Sequence, residues 1–344
     1  MVQTHPGGWV DGQDRAGTVG GQTVGQADQP GDRIGQVELW WGDEGVDYDF
    51  GEFRLASIRG SVHLTGPDGD CYTPGGPQPP LADVVVRLLD AAGAPLAETR
   101  TDAQGNYRFD GLLPGTYTVA EQTPGGLIDG PDRVGTVDGQ PMGAMAGNDT
   151  IGGIRLTSGQ AAVDYDFCEH APASLSGTVY HDRNNDGRYD AGEEPLAGIT
   201  VRLLDETGQV VATTQTGQDG SYEFRDLRAG QYAVAESQPA GYLDGLDTAG
   251  TVAGTTVGRA VNPGDEIRGI GLRWGDTGQR YDFGELLSGS IQGLVFSDLD
   301  RNCRLDPEEQ PLAGVTVELR DGSGRVVAST QTDSQGKYRF ADLA

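Results

Sequence analysis

The chain has 344 residues, among them 56 glycines and 18 prolines, and 36% of its residues are hydrophobic. Without a collagen-like period, this composition is typical of short β-strands joined by tight turns. Acidic residues outnumber basic ones by 52 to 24, and the formal net charge of −28 makes nucleic acids and anionic membranes poor partners. No run of about 18 apolar residues is present, so the sequence predicts no membrane span. Residues 1–10 lack the basic and apolar regions of a signal peptide, and we expect none in this sequence.

The sequence repeats itself in segments of whole-domain length. The motif YDF occurs at residues 48–50, 165–167 and 281–283, so its copies are 117 and 116 residues apart. A period of this size corresponds to a complete domain with its own core, not to a solenoid unit of about 20–50 residues. The predicted domains are residues 1–55 (the N-terminal half-repeat), 57–169 (the first full repeat), 174–286 (the second full repeat) and 290–344 (the C-terminal half-repeat).

The two half-repeats match different halves of a complete copy. Residues 1–55 resemble only the second half, and residues 290–344 only the first. The simplest interpretation is a piece of a longer array, with neighbouring repeats as partners. The alternative is that the half-repeats of two chains complement each other head to tail.

The second full repeat shows the strand pattern most clearly, beginning with the alternating residues 175–182. In residues 198–205, Ile199, Val201 and Leu203 share one face, as in a half-buried strand. The further predicted strands follow in the order 210–216, 221–224, 229–236 and 280–285. About seven short strands, with turns roughly every 8–12 residues, predict an all-β fold of tandem antiparallel β-sandwich repeats. We interpret the recurring aromatic residues as core, and a sugar-stacking platform is the alternative.

A calcium-loop pattern lies between the first two strands of the second full repeat, at residues 182–193. Oxygen-bearing side chains occupy positions 1, 3, 5, 9 and 12, and Gly187 occupies position 6, as D-x-[DN]-x-[DN]-G-x5-E requires. Ca²⁺ takes about six to eight oxygen ligands, and alternate residues of a curled loop can point several of them inward. The predicted ligands are Asp182, Asn184, Asp186, Asp190, Glu193 and the main-chain carbonyl of Arg188.

The C-terminal half-repeat carries the same spacing, with Cys303 in place of the glycine at position 6. If this residue needs a positive φ, the replacement costs on the order of 1–2 kcal/mol and weakens the site. In the first full repeat, Thr65 and Pro67 stand where Asp182 and Asn184 stand, so this loop is predicted to have lost its ion. The predicted ligands of the C-terminal half-repeat are Asp298, Asp300, Asn302, Asp306 and Glu309.

Two alternatives accompany these calcium predictions. A solvated Asx-turn explains a single acidic loop, whereas two matching loops in register favour Ca²⁺ as a structural ion. A weaker acidic motif recurs in three copies, and turn chemistry is its favoured interpretation, with a second ion site as the alternative. The residues of this motif are Asp11, Asp14, Asp129, Asp132, Asp244 and Asp247.

Together these motifs resemble the B-type repeat of the serine–aspartate repeat surface proteins, the SdrD B-like domains, which are related to collagen-adhesin B-type modules. The segments that carry the resemblance are GTVYHDRNNDGRYDAGEEPLAGITVRLLD (177–205), DGSYEFRDLRAGQYAVAE (219–236), PAGYLDGLDTAGT (239–251) and YDFGE (281–285). The resemblance implies an Ig-like or prealbumin-like Greek-key sandwich with calcium bound by the loop at 182–193. It also implies a stalk or spacer in a secreted or cell-surface bacterial protein, and therefore an extracellular location.

Cys71 and Cys168 both belong to the first full repeat, whose calcium loop is degraded. Cys71 follows the first strand and Cys168 the last, so parallel pairing of these strands would bring the two residues together. We hypothesise a disulfide that replaces the missing ion, with two free thiols as the alternative. Cys303 has no such partner, and no CxxC motif for zinc or thiol-redox chemistry is present.

Three functions compete: a structural spacer, an adhesin or carbohydrate-binding module, and an accessory domain of a secreted enzyme. No histidine accompanies a nucleophile motif, and the carboxylates follow ion-loop spacing, so we predict no catalytic residue and no enzyme. Regular turns without a distinctive long binding loop favour the spacer. The alternative, binding of an extracellular glycan or protein ligand, is kept because the sequence contains Trp9, Trp40, Trp41 and Trp274.

Overall fold

The computed structural model describes residues 1–72 and 78–343, in two compact units, Met1–Pro172 and Ala173–Ala344. Every helix or strand assigned in these ranges is a β-strand, which confirms the all-β prediction. Within this part of the chain, no helix is long and apolar enough to cross a membrane.

The first unit contains the N-terminal half-repeat and the first full repeat. The half-repeat forms two-residue strands, namely Val10–Asp11 (β1), Thr18–Val19 (β2), Gln22–Thr23 (β3), Gln26–Ala27 (β4), Ile34–Gly35 (β5), Gly45–Val46 (β6) and Glu52–Phe53 (β7). The strands of the first full repeat are Ala56–Leu64 (β8), Val85–Asp90 (β9), Pro95–Arg100 (β10), Asn106–Leu112 (β11), Gly115–Glu121 (β12), Ile128–Asp129 (β13), Thr136–Val137 (β14), Gln140–Pro141 (β15), Ala144–Gly147 (β16), Thr150–Leu156 (β17), Ala161–Val163 (β18) and Phe167–His170 (β19).

The second unit contains the second full repeat and the C-terminal half-repeat. The strands of the full repeat are Ala173–His181 (β20), Thr200–Asp205 (β21), Val210–Gln215 (β22), Ser221–Leu227 (β23), Gly230–Glu236 (β24), Tyr242–Asp244 (β25), Thr251–Val252 (β26), Thr255–Thr256 (β27), Arg259–Val261 (β28), Glu266–Leu272 (β29), Thr277–Gln279 (β30) and Phe283–Leu287 (β31). The strands of the half-repeat are Gly289–Leu294 (β32), Thr316–Arg320 (β33), Val326–Gln331 (β34) and Lys337–Leu343 (β35).

The two full repeats share one sheet topology. In the second, one sheet has the order β22-β21-β24-β29-β28, and the other has β25-β31-β20-β30-β26-β27 with β23 also paired to β20. The first full repeat follows the same orders with β8 to β19. Strand β20 pairs in parallel with β30 and β31, as β8 does with β18 and β19, so the first strand of each full repeat lies beside the last ones. Several strands have only two or three residues, which is why about seven were predicted and more are present.

Alternating residues of both sheets form the core of each full repeat. In β21, Val201 and Leu203 are fully buried, as the alternation predicted. The YDF aromatics are core residues, because Tyr281 and Phe283 are also fully buried and belong to the same hydrophobic cluster. A glycine is needed at Gly177, since a Cβ there would lie 1.9 Å from the Tyr281 carbonyl oxygen. β20 therefore packs closely against the last strands, and the loop at 182–193 follows it directly.

Candidate metal centre

The predicted calcium loop of the second full repeat follows β20 and is organised around Asp182, which is fully buried. The Asp182 carboxylate accepts hydrogen bonds from the main-chain N–H groups of Asp186 (3.2 Å) and Gly187 (2.8 Å). Glu193 closes the loop by accepting from Arg183 N (2.9 Å) and Asp190 N (2.9 Å). Gly187 has a φ of +72°, in the region that favours glycine. The loop is therefore curled in the structure, as the sequence pattern predicted.

The other predicted ligands of this loop lie on its exposed side. Asn184 Nδ2 donates to Asp186 Oδ2 (3.1 Å), and Asp186 Oδ1 accepts from Arg188 N (3.0 Å). Asp186 and Asp190 are exposed, like Asn184. Calcium ligation by these side chains and by the Arg188 carbonyl stays a prediction.

The loop at 298–309 repeats the same hydrogen bonds at the corresponding positions. Asp298 accepts from Cys303 N (3.1 Å), and Glu309 accepts from Leu299 N (2.6 Å) and Asp306 N (3.1 Å). Asp298, Asp300 and Glu309 bring carboxylate oxygens within 4.8 Å of one another. Asn302 donates to Asp300 Oδ2 (2.9 Å) and Asp306 Oδ2 (2.7 Å).

Cys303 adopts a φ of +60°, so the residue that replaces glycine does stand in the left-handed region. The strain that the sequence predicted, on the order of 1–2 kcal/mol, therefore applies to this loop. Cys303 is a free, exposed cysteine.

The first full repeat has a disulfide where the second has the loop of Asp182. Thr65 occupies the position of Asp182, and its hydroxyl lies 3.0 Å from His170 Nδ1. Cys71 and Cys168 are disulfide-bonded, which confirms the hypothesis made from the sequence. The bond joins the segment after β8 to the parallel strand β19. Part of the stretch aligned with the calcium loop, residues 73–77, lies outside the described residues.

A second group of carboxylates lies beside the loop of the second full repeat. Four separate segments supply it: the end of β24, the β25 strand with its following turn, the turn before β29, and β31. Its members, which we name the acidic cluster, are Glu236, Asp244, Asp247, Asp265 and Glu285. Glu236, Asp265 and Glu285 bring oxygens within 4.8 Å of one another. The Asp182 N–H donates to the Glu285 carbonyl (2.8 Å), so the loop and the cluster share adjoining backbone.

The two glutamates of this cluster are buried without the partners that a buried charge requires. Glu236 is 2% exposed and Glu285 is fully buried. Within the described residues, the Glu236 carboxyl has only the Glu285 carboxyl as a hydrogen-bond partner, and Glu285 also accepts at Oε2 from Gln238. Neither glutamate forms an ion pair in the same part of the chain. Burial raises the pKa of both carboxyl groups, and burial together with Asp244 raises the pKa of Asp247 to about 8. Such a group is stable only with protons or a cation among its oxygens.

The acidic cluster recurs at the aligned positions of the first full repeat. Its members there are Glu121, Asp129, Asp132, Asp149 and Glu169. Glu121, Asp149 and Glu169 bring oxygens within 4.8 Å of one another, and burial raises the pKa of Asp132 to about 7. The cluster is therefore present in both full repeats, whether or not the loop beside it keeps its ligands.

The N-terminal half-repeat places a histidine among the corresponding carboxylates. His5 stands where the full repeats have Thr123 and Gln238. Its Nδ1 lies 2.9 Å from Glu52 Oε1 and its Nε2 lies 2.9 Å from Asp32 Oδ2. The hydrogen bond to Glu52 raises the pKa of His5, so the imidazole is favoured in its charged form between the two carboxylates. In this copy a protonatable side chain lies between the two carboxylates.

Most members of the acidic cluster were not predicted from the sequence. The aspartates of its β25 turn were noticed, but turn chemistry was the favoured interpretation. Asp244 Oδ2 instead accepts a hydrogen bond from Gly264 N (2.6 Å), twenty residues away, so the hydrogen bonding of Asp244 is not confined to its own turn. The signal that could have revealed the rest is repetition, because acidic residues recur at Asp32, Asp149 and Asp265 and at Glu52, Glu169 and Glu285.

The cluster predicts an unusual pH dependence of stability without metal. The carboxyl groups of Asp132 and Asp247 have ordinary pKa values of about 4 in the unfolded chain and raised values of about 7 and about 8 in the folded one. The folded state therefore binds more protons across this window, and stability is lost as the pH rises from about 4 to about 8. In EDTA, we expect the melting temperature to be several degrees lower at pH 8 than at pH 5.5, as measured by circular dichroism. A Glu236→Gln/Glu285→Gln variant should show a flatter profile, and a wild-type melting temperature that rises with pH would contradict the prediction.

The fold and these sites define a class of repeat protein built from acidic β-sandwich modules, each with carboxylates gathered beside the strand that opens it. Residues 72–168, 173–285 and 289–344 match the SdrD B-like domain, and the chain belongs to this family. The resemblance seen in the sequence is thereby confirmed.

Relatives of the chain include two proteins of Staphylococcus aureus. Serine-aspartate repeat-containing protein E (strain MSSA476) is 33% identical over 267 residues, which cover 77% of this chain and 22% of that protein. Serine-aspartate repeat-containing protein D (strain Newman) is 31% identical over 272 residues, covering 76% and 19%. The chain thus spans about a fifth of the length of these relatives.

Solved structures that match the chain include the Bacillus anthracis TIE protein, with a TM-score of 0.33, 15% identity and coverage of 92% of this chain and 49% of that one. They also include BcpA, the major pilin subunit of Bacillus cereus, with a TM-score of 0.36, 13% identity and coverage of 84% and 85%.

Proposed function

We propose that this chain is a calcium-stabilised, non-enzymatic spacer of a bacterial cell-surface protein, whose repeats hold other domains away from their point of attachment. Calcium would bind in two places within the second full repeat, the loop at 182–193 and the acidic cluster beside it. It would also bind in the loop at 298–309 and in the acidic cluster of the first full repeat.

The observation that carries this proposal is the pair of buried glutamates, Glu236 and Glu285. Their orphaned oxygens belong to a set of five carboxylates, and all-oxygen, acidic ligand sets are those that Ca²⁺ prefers. Mg²⁺ fits less well, because it retains most of its water and demands a strict octahedron. His5 in the N-terminal half-repeat supports the same need, since an imidazole whose pKa is raised by Glu52 lies between the equivalent carboxylates there.

A spacer role is supported by what the repeats have in common. Both full repeats keep the same sheets and the same acidic cluster, while the means of joining β8 or β20 to the last strand differs between them. Two repeats that share their sheets and their acidic cluster have the same architecture, which is the property that a spacer requires. A catalytic role has no support, because the clustered carboxylates recur as a set in repeat after repeat and lie beside no nucleophile motif.

Calcium binding is tested by isothermal titration of the full chain at pH 7.5 after removal of metal with EDTA. We expect saturable binding of several ions, with affinities between about 10⁻⁷ and 10⁻³ M. Glu236→Gln/Glu285→Gln should remove binding at the cluster, and Asp182→Asn/Glu193→Gln should remove binding at the loop.

The matched control is Glu206→Gln/Glu223→Gln, which removes the same charge from exposed positions of the same repeat. Its titration should be like that of the wild type. An absence of calcium binding by the wild type, or an equal loss in the control, would refute the proposal.

A further inference from the structure

A groove on the outer face of the first full repeat is rich in arginine, although the chain as a whole is strongly acidic. The groove lies over β8 and β11 and has a volume of about 730 Å³. Four arginines line it, Arg59, Arg100, Arg108 and Arg133, against three aspartates, Asp102, Asp164 and Asp166. Two of these arginines form ion pairs with aspartates outside the lining, Arg100 with Asp83 (3.1 Å) and Arg108 with Asp110 (2.6 Å).

The floor of the groove holds two like charges side by side. Arg59 on β8 and Arg108 on β11 are direct cross-strand partners, and both side chains are exposed on the face opposite the core. Like charges directly opposite each other destabilise a pair of strands unless an anion lies between them. Within the described ranges, Arg59 forms no ion pair, and the ion pair of Arg108 is with Asp110 on its own strand (2.6 Å).

Two aspartates of the groove are engaged away from this pair, and the third, Asp164, is exposed and forms no ion pair within the described residues. Asp166 is 6% exposed and is already used, because its Oδ1 accepts from Ser61 N (2.8 Å) and Ser61 Oγ (2.9 Å) while its Oδ2 accepts from Arg133. Asp102 accepts from the turn N–H groups of Gln104 and Asn106 (2.9 Å each). The Arg133 guanidinium also lies over the Tyr72 ring, 4.8 Å from its centroid. This contact positions the two side chains in the lining of the groove.

The second full repeat has a groove at the same place, and the one arginine that lines its described part, Arg280, stands at the position of Asp164. At the positions of Arg59, Arg100, Arg108 and Arg133 it carries Ser176, Gln215, Glu223 and Thr248. The Arg59–Arg108 pair thus corresponds to Ser176 opposite Glu223. Since both repeats have the same topology, the fold does not require arginine at these positions.

We propose that this groove binds an oligosaccharide carrying carboxylate or sulfate groups. Guanidinium groups bind such anions through paired, charge-assisted hydrogen bonds, and two adjacent guanidiniums suit one anionic group between them. The rest of the lining consists of hydroxyl, amide and aromatic groups, including Ser61, Gln78, Thr99 and Asn106, which match a ligand rich in hydroxyls. No aliphatic side chain lines the described part of the groove, so it offers no pocket for the apolar residues of a peptide.

The test is fluorescence anisotropy of the full chain with a labelled heparin-derived hexasaccharide, with galacturonic acid oligomers as the sulfate-free probe and cellohexaose as the uncharged one. All titrations contain 1 mM Ca²⁺ and the same salt, so that the calcium state does not vary. We expect binding of at least one charged probe, weakening as salt is raised, and none of cellohexaose. Arg59→Ser/Arg108→Glu, which introduces the residues of the second full repeat, should weaken binding by about tenfold or more.

The control variant Arg225→Ser/Arg320→Glu makes the same change of charge at exposed sites outside the groove and should bind like the wild type. The reverse exchange, Ser176→Arg/Glu223→Arg, should strengthen binding and does not depend on the stability of the first full repeat. The proposal is overturned if neither charged probe binds, if both double variants lose affinity equally, or if a glutamate decapeptide binds as tightly as the glycans. Self-association that Arg59→Ser/Arg108→Glu abolishes, without glycan binding, would assign the groove to a second copy of the chain and equally overturn it.

Discussion

Reduction of the Cys71–Cys168 disulfide should lower the melting temperature of the first full repeat by about 10 °C and leave the second full repeat unchanged. The two cysteines are 97 residues apart, so the bond closes most of the repeat into one loop. A loop of this length restricts the unfolded chain strongly, and such a bond typically contributes about 2–4 kcal/mol. For a domain of this size, 1 kcal/mol corresponds to roughly 4 °C. Differential scanning calorimetry of the full chain with and without dithiothreitol measures the shift.

A Cys71→Ser/Cys168→Ser variant should reproduce the effect of the reductant and no longer respond to it. Cys303→Ser is the control, because Cys303 is free and exposed and contributes no cross-link. If the transition of the first full repeat stays where it is on reduction, or if both transitions move together, the disulfide is not the brace that replaces the loop ion.

Removal of calcium should have its largest effect on the second full repeat, whose two candidate sites adjoin. An ion that binds only the folded state, at a concentration one hundred times its dissociation constant, stabilises it by about 2.7 kcal/mol. We therefore expect EDTA to lower the melting temperature of this repeat by about 10 °C or more, and millimolar Ca²⁺ to restore it. The first full repeat, which has the cluster but not the complete loop, should shift less.

Hydrogen exchange measured by mass spectrometry locates this effect. Loss of protection on calcium removal should centre on the peptides that contain Asp182, Glu236 and Glu285. Glu236→Gln/Glu285→Gln should reduce the response to EDTA, because neutral amides tolerate burial without an ion better than carboxylates do. Equal melting temperatures with EDTA and with Ca²⁺ would contradict the prediction.

The parts of the molecule that the sequence predicted are those with a local signal. Alternation along 198–205 located the buried face of β21, and the spacing of residues 182–193 gave the curled loop with its glycine at positive φ. The Cys71–Cys168 bond was inferred because one relation, parallel first and last strands, was enough to bring the two cysteines together.

The acidic cluster and the arginine groove had no such local signal. Glu236, Asp265 and Glu285 are distant in sequence and meet only because β24, β29 and β31 belong to facing sheets of one sandwich. Arg59 and Arg108 become neighbours only through the register of β8 with β11, which no single segment specifies. In both sites the chemistry depends on which strands pair, and this is decided by the packing of the whole repeat.

The parallel pairing of β20 with β31 has a mechanical consequence. Tension that enters a repeat at the start of its first strand and leaves at the end of its last strand runs along both strands in opposite directions. The hydrogen bonds between them, from Val179–Phe283 to His181–Glu285, then bear the load together in shear and do not open one at a time. The segment that follows the first strand, the loop of Asp182 after β20 in one repeat and the disulfide-bonded segment after β8 in the other, lies at the end of this sheared pair, where slippage between the strands would otherwise begin.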